Sequence, residues 1–139
     1  MTKYFLSNKN KNMTQEEKDF LLKDLCARLP YGVKCQIDTG DNDVYVDTLA
    51  IITFDGCACF LETIDTEDVL EYGDIKPYLF PLSSMTEDQE KEYDDLNGYE
   101  LGCFPSTEEA LDYLIKNHFD YRGVIPKGLA IDATGLNIY

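Results

Sequence analysis

Basic side chains are scarce in this sequence. Lysine and arginine together number 12 against 27 aspartate and glutamate residues, which gives a formal net charge of −15. A field of this sign repels the phosphates of nucleic acids and anionic lipids, and it favours basic protein partners. We therefore predict no direct binding of nucleic acid, although acidic surfaces are also a common means of keeping small proteins in solution.

Long apolar runs and a framework of paired cysteines are missing as well. No stretch approaches the roughly 18 apolar residues of a membrane-spanning helix, and the Tyr4–Leu6 run is far too short for the core of a signal peptide. The five cysteines are an odd number without the pattern of a small secreted domain. These absences predict reduced thiols, a cytoplasmic location and no contact with membranes.

Histidine occurs once, as His118. A general-base mechanism of the usual kind has to use this residue. It follows a predicted third helix, where a cation interacts favourably with the helix dipole. A pair with Cys103 is conceivable, but neither residue has a recognisable catalytic neighbourhood. The helix-end interpretation is favoured, no catalytic residue is assigned, and the sequence leans against an enzyme.

Two patterns offer metal ligands. The loop at 38–43, with Asp47 beyond it, holds several carboxylates, but its spacing departs from that of an EF-hand, and aspartate and glycine are ordinary turn residues. Cys57 and Cys59 could supply two thiolates, whereas a closed zinc site needs four ligands. A solvated turn and buried free cysteines are the favoured interpretations, so no metal or cofactor is predicted.

Only two of the basic residues are arginines, Arg28 and Arg122. Arg122 lies between Tyr121 and Gly123, at the start of the C-terminal tail. In so acidic a chain we expect its guanidinium to fix the tail by bidentate pairing with a carboxylate. The alternative is an anchor for an anionic or carboxylate ligand.

The central positive feature is the stretch from Val44 to Ile64. Two runs rich in β-branched and aromatic residues flank Asp55-Gly56, a pair that favours a two-residue hairpin turn. The middle of the first run, at 49–52, is continuously apolar, so both of its faces are expected to be covered. Because an isolated hairpin is marginally stable, we expect further strands and helices to pack on it.

Three capping patterns predict helices. Thr14–Glu17, Thr86–Gln89 and Ser106–Glu109 each place a hydroxyl three residues before a Glu or Gln, which satisfies free N–H groups at a helix start. The second helix carries few apolar residues and is expected to lie on the surface. The first and third carry apolar stripes at helical spacing: Phe20, Leu21, Leu25, Cys26 and Leu29, and then Ala110, Leu111, Leu114, Ile115 and His118 or Phe119.

The stretch from Ile75 to Leu82 contains Pro77 and Pro81. Two prolines four residues apart argue against both a regular helix and a central strand, yet the stretch is too apolar for a solvated loop. We interpret it as an extended segment lying over the core. The acidic segment at 65–74 that precedes it is compatible with either a helical turn or a short strand.

These elements together predict an α+β fold: a small antiparallel sheet, centred on the β-hairpin at 44–64 and covered by two or three helices. Short strands are expected at Val33–Ile37 and at the alternating apolar positions of 129–133. Residues 1–12 are expected to form a flexible arm, and residues 13–139 a single domain.

Four stretches of the chain resemble a family of small uncharacterised proteins from gut anaerobes of the Bacteroides type and their mobile elements. They are LLKDLCARLPYGVKC (21–35), IKPYLFPLSSMTE (75–87), EEALDYLIKNHFDYRG (108–123) and IPKGLAID (125–132). The resemblance implies a bacterial or phage-encoded cytoplasmic protein, often of the accessory genome. It brings no known activity, cofactor or catalytic residue with it.

The function predicted from the sequence is that of a non-enzymatic interaction or accessory protein with an unidentified, basic protein partner. Its candidate contact surface combines the proline-containing segment with the acidic second helix: Tyr78, Phe80, Glu87, Asp88, Glu92 and Asp94. The alternative is an acidic nucleic-acid mimic that inhibits a host nucleic-acid-binding enzyme by presenting carboxylates in place of phosphates. A small-molecule or metal enzyme is a third hypothesis.

Overall fold

The computed structural model describes residues 13–40, 44–55, 58–65, 70–98 and 105–139, so the predicted arm at 1–12 lies outside it. Its three α-helices are α1 (Gln15–Arg28), α2 (Glu87–Asn97) and α3 (Glu108–Lys116). Its strands are β1 (Lys34–Asp38), β2 (Val44–Asp55), β3 (Ala58–Thr63), β4 (Ile75–Pro81), β5 (Phe119–Asp120) and β6 (Ile131–Asp132). They form one sheet in the order β3-β2-β1-β4-β5, with β6 paired to β4. The predicted α+β fold is confirmed.

The hairpin at 44–64 is present as the antiparallel pair β2–β3, at one end of the strand order, while β1 occupies the middle. The prediction that Asp55 and Gly56 form the two-residue turn was wrong by one position, because Asp55 still belongs to β2 and pairs with Ala58. The intervening positions 56–57 lie outside the described residues. A register shift between Leu49 and Ile51 marks a bulge, which turns both Ala50 and Ile51 outward. Ile51 is 48% exposed, so the expectation that both faces are covered here was wrong.

The helix starts follow local capping chemistry. Capping boxes at Thr14 and Thr86 are confirmed, because in each the threonine hydroxyl and the side chain three residues later satisfy each other's backbone N–H groups. The third helix is capped by Thr107, whose hydroxyl accepts from the Ala110 N–H, rather than by Ser106. Ser106 instead bonds to Asn97 at the end of α2, a partner that local sequence could not reveal. None of the described helices is both long and apolar enough to cross a membrane.

Strand β4 corrects the prediction that the proline-containing segment is not a central strand, because it lies between β1 and β5 in the sheet. The reason is the register of β4 with β1, in which Pro77 faces Cys35. At the next pair, Lys34 and Tyr78, the backbone N–H and C=O groups point toward the other strand. The Tyr139 hydroxyl bridges the Lys34 N–H and the Tyr78 carbonyl there. Since bonded and non-bonded pairs alternate, Pro77 occupies a non-bonded position and loses no bond to β1.

The acidic segment before β4 contains both of the structures that the sequence left open. Leu70 forms an isolated antiparallel bridge with Leu61, and Tyr72–Asp74 is a short 3-10 turn. Positions 66–69 lie outside the described residues.

Among the described residues, two apolar clusters divide the core. The larger joins α1 to one face of the sheet and to the chain after β5, through buried residues that include Leu21, Leu25, Cys35, Ile37, Leu49, Leu61, Leu79 and Val124. Cys26, predicted on the inward stripe of α1, is exposed instead. The smaller cluster joins α2, α3 and β5 through Tyr93, Ala110, Leu114 and Phe119. The end of β4 lies beside this second cluster, since the half-buried Phe80 packs against it.

A buried ion pair ties α1 to β5. Arg28 and Asp24 are one helical turn apart, both side chains are 0% exposed, and the Arg28 Nε lies 2.8 Å from the Asp24 Oδ2. The Arg28 Nη2 donates to the Asp24 Oδ1 at 3.2 Å and to the Phe119 carbonyl oxygen at 2.6 Å. A buried guanidinium needs such partners to offset its loss of hydration, so this contact fixes β5 relative to α1.

Replacing Asp24 by alanine is expected to lower the free energy of unfolding by about 3–5 kcal/mol, because Arg28 is then buried without its carboxylate. The double variant Asp24→Leu/Arg28→Met removes both charges and is expected to be more stable than the single variant. Urea unfolding at 25 °C measures both. A double variant as unstable as Asp24→Ala would show that the charge is not the cause.

Candidate functional site

An open cleft of about 320 Å³ lies where β4, α2, the end of α3 and the C-terminal segment meet. Its walls come from all four: Phe80 from β4, Gln89 from α2, Asn117 and His118 from the end of α3, and Tyr139. The volume is at the lower end of the range for small-molecule sites. Among the residues that the structure describes, this cleft contains the only histidine of the chain and is the best candidate for a functional site.

His118 is held in the cleft by a strained turn. Its φ is +64°, in the left-handed region that residues with a side chain rarely adopt. The turn is fixed on both sides, since the His118 N–H donates to the Ile115 carbonyl and its own carbonyl accepts from the Phe80 N–H at 2.8 Å. The backbone that ends α3 and begins β5 therefore determines where the imidazole lies.

The His118 imidazole is neutral at neutral pH. Burial, followed by the positive charges of Arg28 and Lys34, lowers its pKa to about 4. The ring stacks on Tyr139 with centroids 3.8 Å apart and planes inclined by 11°. Its Nδ1 is buried without a hydrogen-bond partner in the described part of the chain. The prediction of a cation interacting with the helix dipole was wrong, because desolvation and two neighbouring cations outweigh the helix end.

The Tyr139 hydroxyl bridges strands β1 and β4 of the sheet. It accepts from the Lys34 N–H at 2.9 Å and donates to the Tyr78 carbonyl at 2.8 Å. The Lys34 ammonium donates to the Ile138 carbonyl at 2.9 Å and so holds the same segment. Burial is the main reason that the pKa of Tyr139 is raised. The C-terminal segment thus forms one wall of the cleft because its phenol completes the β1–β4 ladder.

Arg28 and Arg122 both pair with the carboxylate of Asp24. Arg122, which we expected to pair bidentately, has its Nε 3.7 Å from the Asp24 Oδ1 and donates to the Tyr121 hydroxyl at 2.9 Å. The bidentate pairing belongs to Arg28 instead. A carboxylate partner for Arg122 is therefore confirmed, but its geometry is not, because the buried Arg28 already engages both oxygens of Asp24.

The candidate metal ligands are engaged in local hydrogen bonds. Asp38 accepts from the Gly40 N–H at 3.0 Å, as in an ordinary turn, and the buried Asp47 accepts from the N–H groups of Thr48 and Asp65. In the described ranges no three His, Cys, Asp or Glu side chains are grouped as a metal site. Positions 41–43 lie outside those ranges.

The described cysteines are dispersed. Cys26 is exposed on α1, whereas Cys35 is buried in β1, where burial raises the pKa of its thiol. Cys59 lies on β3, whereas Cys57 and Cys103 belong to the part of the chain that the structure does not describe. The Cys103–His118 pair, which the sequence analysis left conceivable but did not favour, is therefore not tested.

The predicted contact surface is divided between the interior and the exterior. Glu87, Asp88, Glu92 and Asp94 are exposed on α2, and Phe80 is half-buried at the cleft. Tyr78 is only 6% exposed, because it lies within β4. Sequence reasoning missed the cleft residues Gln89, Asn117 and Tyr139, which are far apart in sequence. Sequence reasoning also missed the ion pair of Asp24 with Arg28. The spacing of four residues between them on a predicted helix could have indicated it.

Comparisons of the chain with protein-family models, curated proteins and solved structures returned no match. The resemblance to proteins of gut anaerobes accordingly stays a prediction.

Replacing Tyr139 by phenylalanine keeps the ring but removes the bridging hydroxyl. The Lys34 N–H and the Tyr78 carbonyl then lose their shared partner, and we expect the free energy of unfolding to fall by about 1–3 kcal/mol. Chemical denaturation measures the change. Tyr31→Phe, at a residue that is 40% exposed, is the matched control and is expected to change little. Equal effects of the two substitutions would contradict the bridging role.

The lowered pKa of His118 predicts an acid-sensitive fold. The His118 imidazole is protonated near pH 6.5 in the unfolded chain and only near pH 4 in the folded chain. Above pH 6.5 its protonation therefore has no effect on the free energy of unfolding, which falls progressively between pH 6.5 and pH 4. His118→Asn tolerates the left-handed backbone and removes the titration. We expect Tm to fall more steeply over this interval in the native chain than in the variant. Parallel profiles would contradict the assignment, as would an imidazole NMR titration near 6.5.

Proposed function

We propose that this chain is a non-enzymatic interaction protein of a bacterial or phage accessory genome, acting in the cytoplasm, and that it binds a basic protein segment at the exposed side of α2. The observation that carries the proposal is the composition of this helix. Six of its eleven residues are exposed carboxylates, and two, Tyr93 and Asn97, are buried. A helix that contributes so little to the core presents most of its surface for contact.

The acidic helix is rigidly presented, which favours binding because less conformational entropy is lost. Its start is fixed by the Thr86–Gln89 capping box and its end by Gly98 in the left-handed conformation. Tyr93 packs on Tyr113 with ring centroids 6.4 Å apart. Side-chain hydrogen bonds from Ser106 reach the last helical residue, as described above.

The chemistry of the partner follows from the exposed residues. Leu96 is 39% exposed among the carboxylates, so the surface offers one apolar contact surrounded by negative charge. A partner with an apolar residue between lysines or arginines complements it, with the apolar contact at the centre and the charges at the rim. Tyr78, being buried, is no longer part of this proposed surface.

Two features of the cleft support a non-enzymatic role. The Ser84 hydroxyl lines the same cleft as His118, but it donates to the Pro81 carbonyl at 2.7 Å rather than to the imidazole. His118 itself is stacked on Tyr139. A nucleophile needs a base within hydrogen-bond reach, and this serine is committed to a backbone oxygen.

The second candidate, a mimic of the nucleic-acid backbone, is favoured by the arrangement of the carboxylates in rows. Helical spacing places Glu87, Glu90 and Asp94 on one ridge of α2 and Asp88, Glu92 and Asp95 on the next. Competition with duplex DNA for host nucleases distinguishes the candidates: a mimic displaces DNA from its target enzyme, whereas a protein-binding helix leaves the DNA in place.

Neutralising α2 is expected to weaken binding of a basic amphipathic peptide built from lysine and leucine. Asp88→Asn/Asp94→Asn removes two charges without changing side-chain size, and we expect Kd to rise about three- to tenfold at low salt. Glu16→Gln/Asp19→Asn makes the same charge change on α1 and is expected to alter Kd less than about twofold. Isothermal titration calorimetry measures both. Equal losses would show unspecific attraction and end the assignment to α2.

A further inference from the structure

The cleft beside α2 contains two amide side chains whose orientation is fixed by their other contacts. The Gln89 Oε1 accepts from the Thr86 N–H at 2.9 Å, which leaves the Gln89 amino group as its free end. The Asn117 Nδ2 donates to the Tyr113 carbonyl at 2.8 Å, which leaves the Asn117 Oδ1 free. An amide has separate donor and acceptor ends. The free ends of these two amides therefore offer the cleft a donor from Gln89 and an acceptor from Asn117.

Aromatic rings form a second part of the cleft lining. Phe80 lies 5.9 Å from Tyr139 and 6.2 Å from Phe119 between ring centroids, with tilted planes. Tyr139 already stacks one planar ring, that of His118. Aromatic walls of this kind accept a flat ligand by stacking or edge contacts. A volume of about 320 Å³ leaves room for one or two fused rings.

Charge around the cleft disfavours ionic ligands of either sign. Lys34 and Arg28 are close enough to His118 to oppose a positive charge there. Glu87 and Asp88 are exposed in the first turn of the helix that carries Gln89, and the chain as a whole has a net charge of −15. The Glu87 and Asp88 carboxylates and the net negative charge repel a phosphate group brought to this site, and this repulsion acts against the attraction of Lys34 and Arg28. A neutral ligand encounters neither repulsion.

We propose that the cleft of Phe80, Gln89, Asn117, His118 and Tyr139 binds a neutral planar heterocycle with adjacent hydrogen-bond donor and acceptor groups, the chemistry of a nucleobase in a free nucleoside. Gln89 donates to the acceptor of the heterocycle, Asn117 accepts from its N–H, and the aromatic rings contact its faces. This inference goes beyond the proposed interaction at α2 and does not depend on it, because it uses the cleft and not the outer carboxylates.

The first test uses the full chain and eight probes: uridine, cytidine, adenosine and inosine, and their 5′-monophosphates. We expect at least one nucleoside to bind saturably with a Kd below about 1 mM, and its monophosphate to bind more weakly at low salt. Two-dimensional NMR is expected to place the largest shifts at Gln89, Asn117, His118 and Tyr139. This map is obtained on the native chain and needs no variant.

The second test is the substitution Gln89→Glu. Glutamate keeps the capping box, since its carboxylate also accepts from the Thr86 N–H, but it replaces the donor facing the cleft with an acceptor. We expect the affinity for the bound nucleoside to fall at least tenfold, without loss of Tm. Gln15→Glu is the matched control at the start of α1 and is expected to leave Kd unchanged.

Three results would overturn the inference. The first is the absence of shifts at the cleft residues with every nucleoside at 5 mM, a concentration about five times the weakest expected Kd. The second is tighter binding of the monophosphates, which would indicate an anion site. The third is an equal affinity of Gln89→Glu and the native chain. None of them bears on peptide binding at α2, so the two proposals fail separately.

Discussion

The buried charge of Arg28 is the constraint on which the rest of this structure depends. A guanidinium with no exposed surface is tolerated only with compensating partners, and Arg28 has the Asp24 carboxylate and the Phe119 carbonyl. Asp24 lies on the same helix, but Phe119 is 91 residues away in sequence. The pair thereby joins α1 to β5. His118 directly precedes Phe119, so the position of the cleft follows from that of the buried charge.

A second long-range link completes the site from the opposite side. The β1–β4 ladder would end at Pro77 were it not for the Tyr139 hydroxyl, which carries the hydrogen bonding on to Lys34 and Tyr78. The bond that stabilises the sheet also holds the Tyr139 ring against His118. Fold stability and cleft shape therefore share one side chain, and a change at that position affects both.

The acidic helix and the cleft are adjacent but physically different surfaces. On α2 the carboxylates are hydrated, so each is worth little alone and the helix acts through its summed field, which salt screens. In the cleft, burial and nearby cations keep the imidazole neutral, and the two oriented amides supply direction rather than charge. Gln89 belongs to both, because the capping bond that starts the helix also orients its amide in the cleft.

The sequence by itself determined what depends on neighbours along the chain. The capping boxes at Thr14 and Thr86, the two strands of the hairpin at 44–64 and the α+β class needed only local hydrogen bonding and periodicity. Tertiary structure decided the rest. Pro77 fits inside a sheet because of a register set by another strand, and the carboxylate of Arg122 was already occupied by Arg28. Residues 28, 118 and 139 meet only after the chain has folded, because their contacts span distances in sequence that no local pattern records.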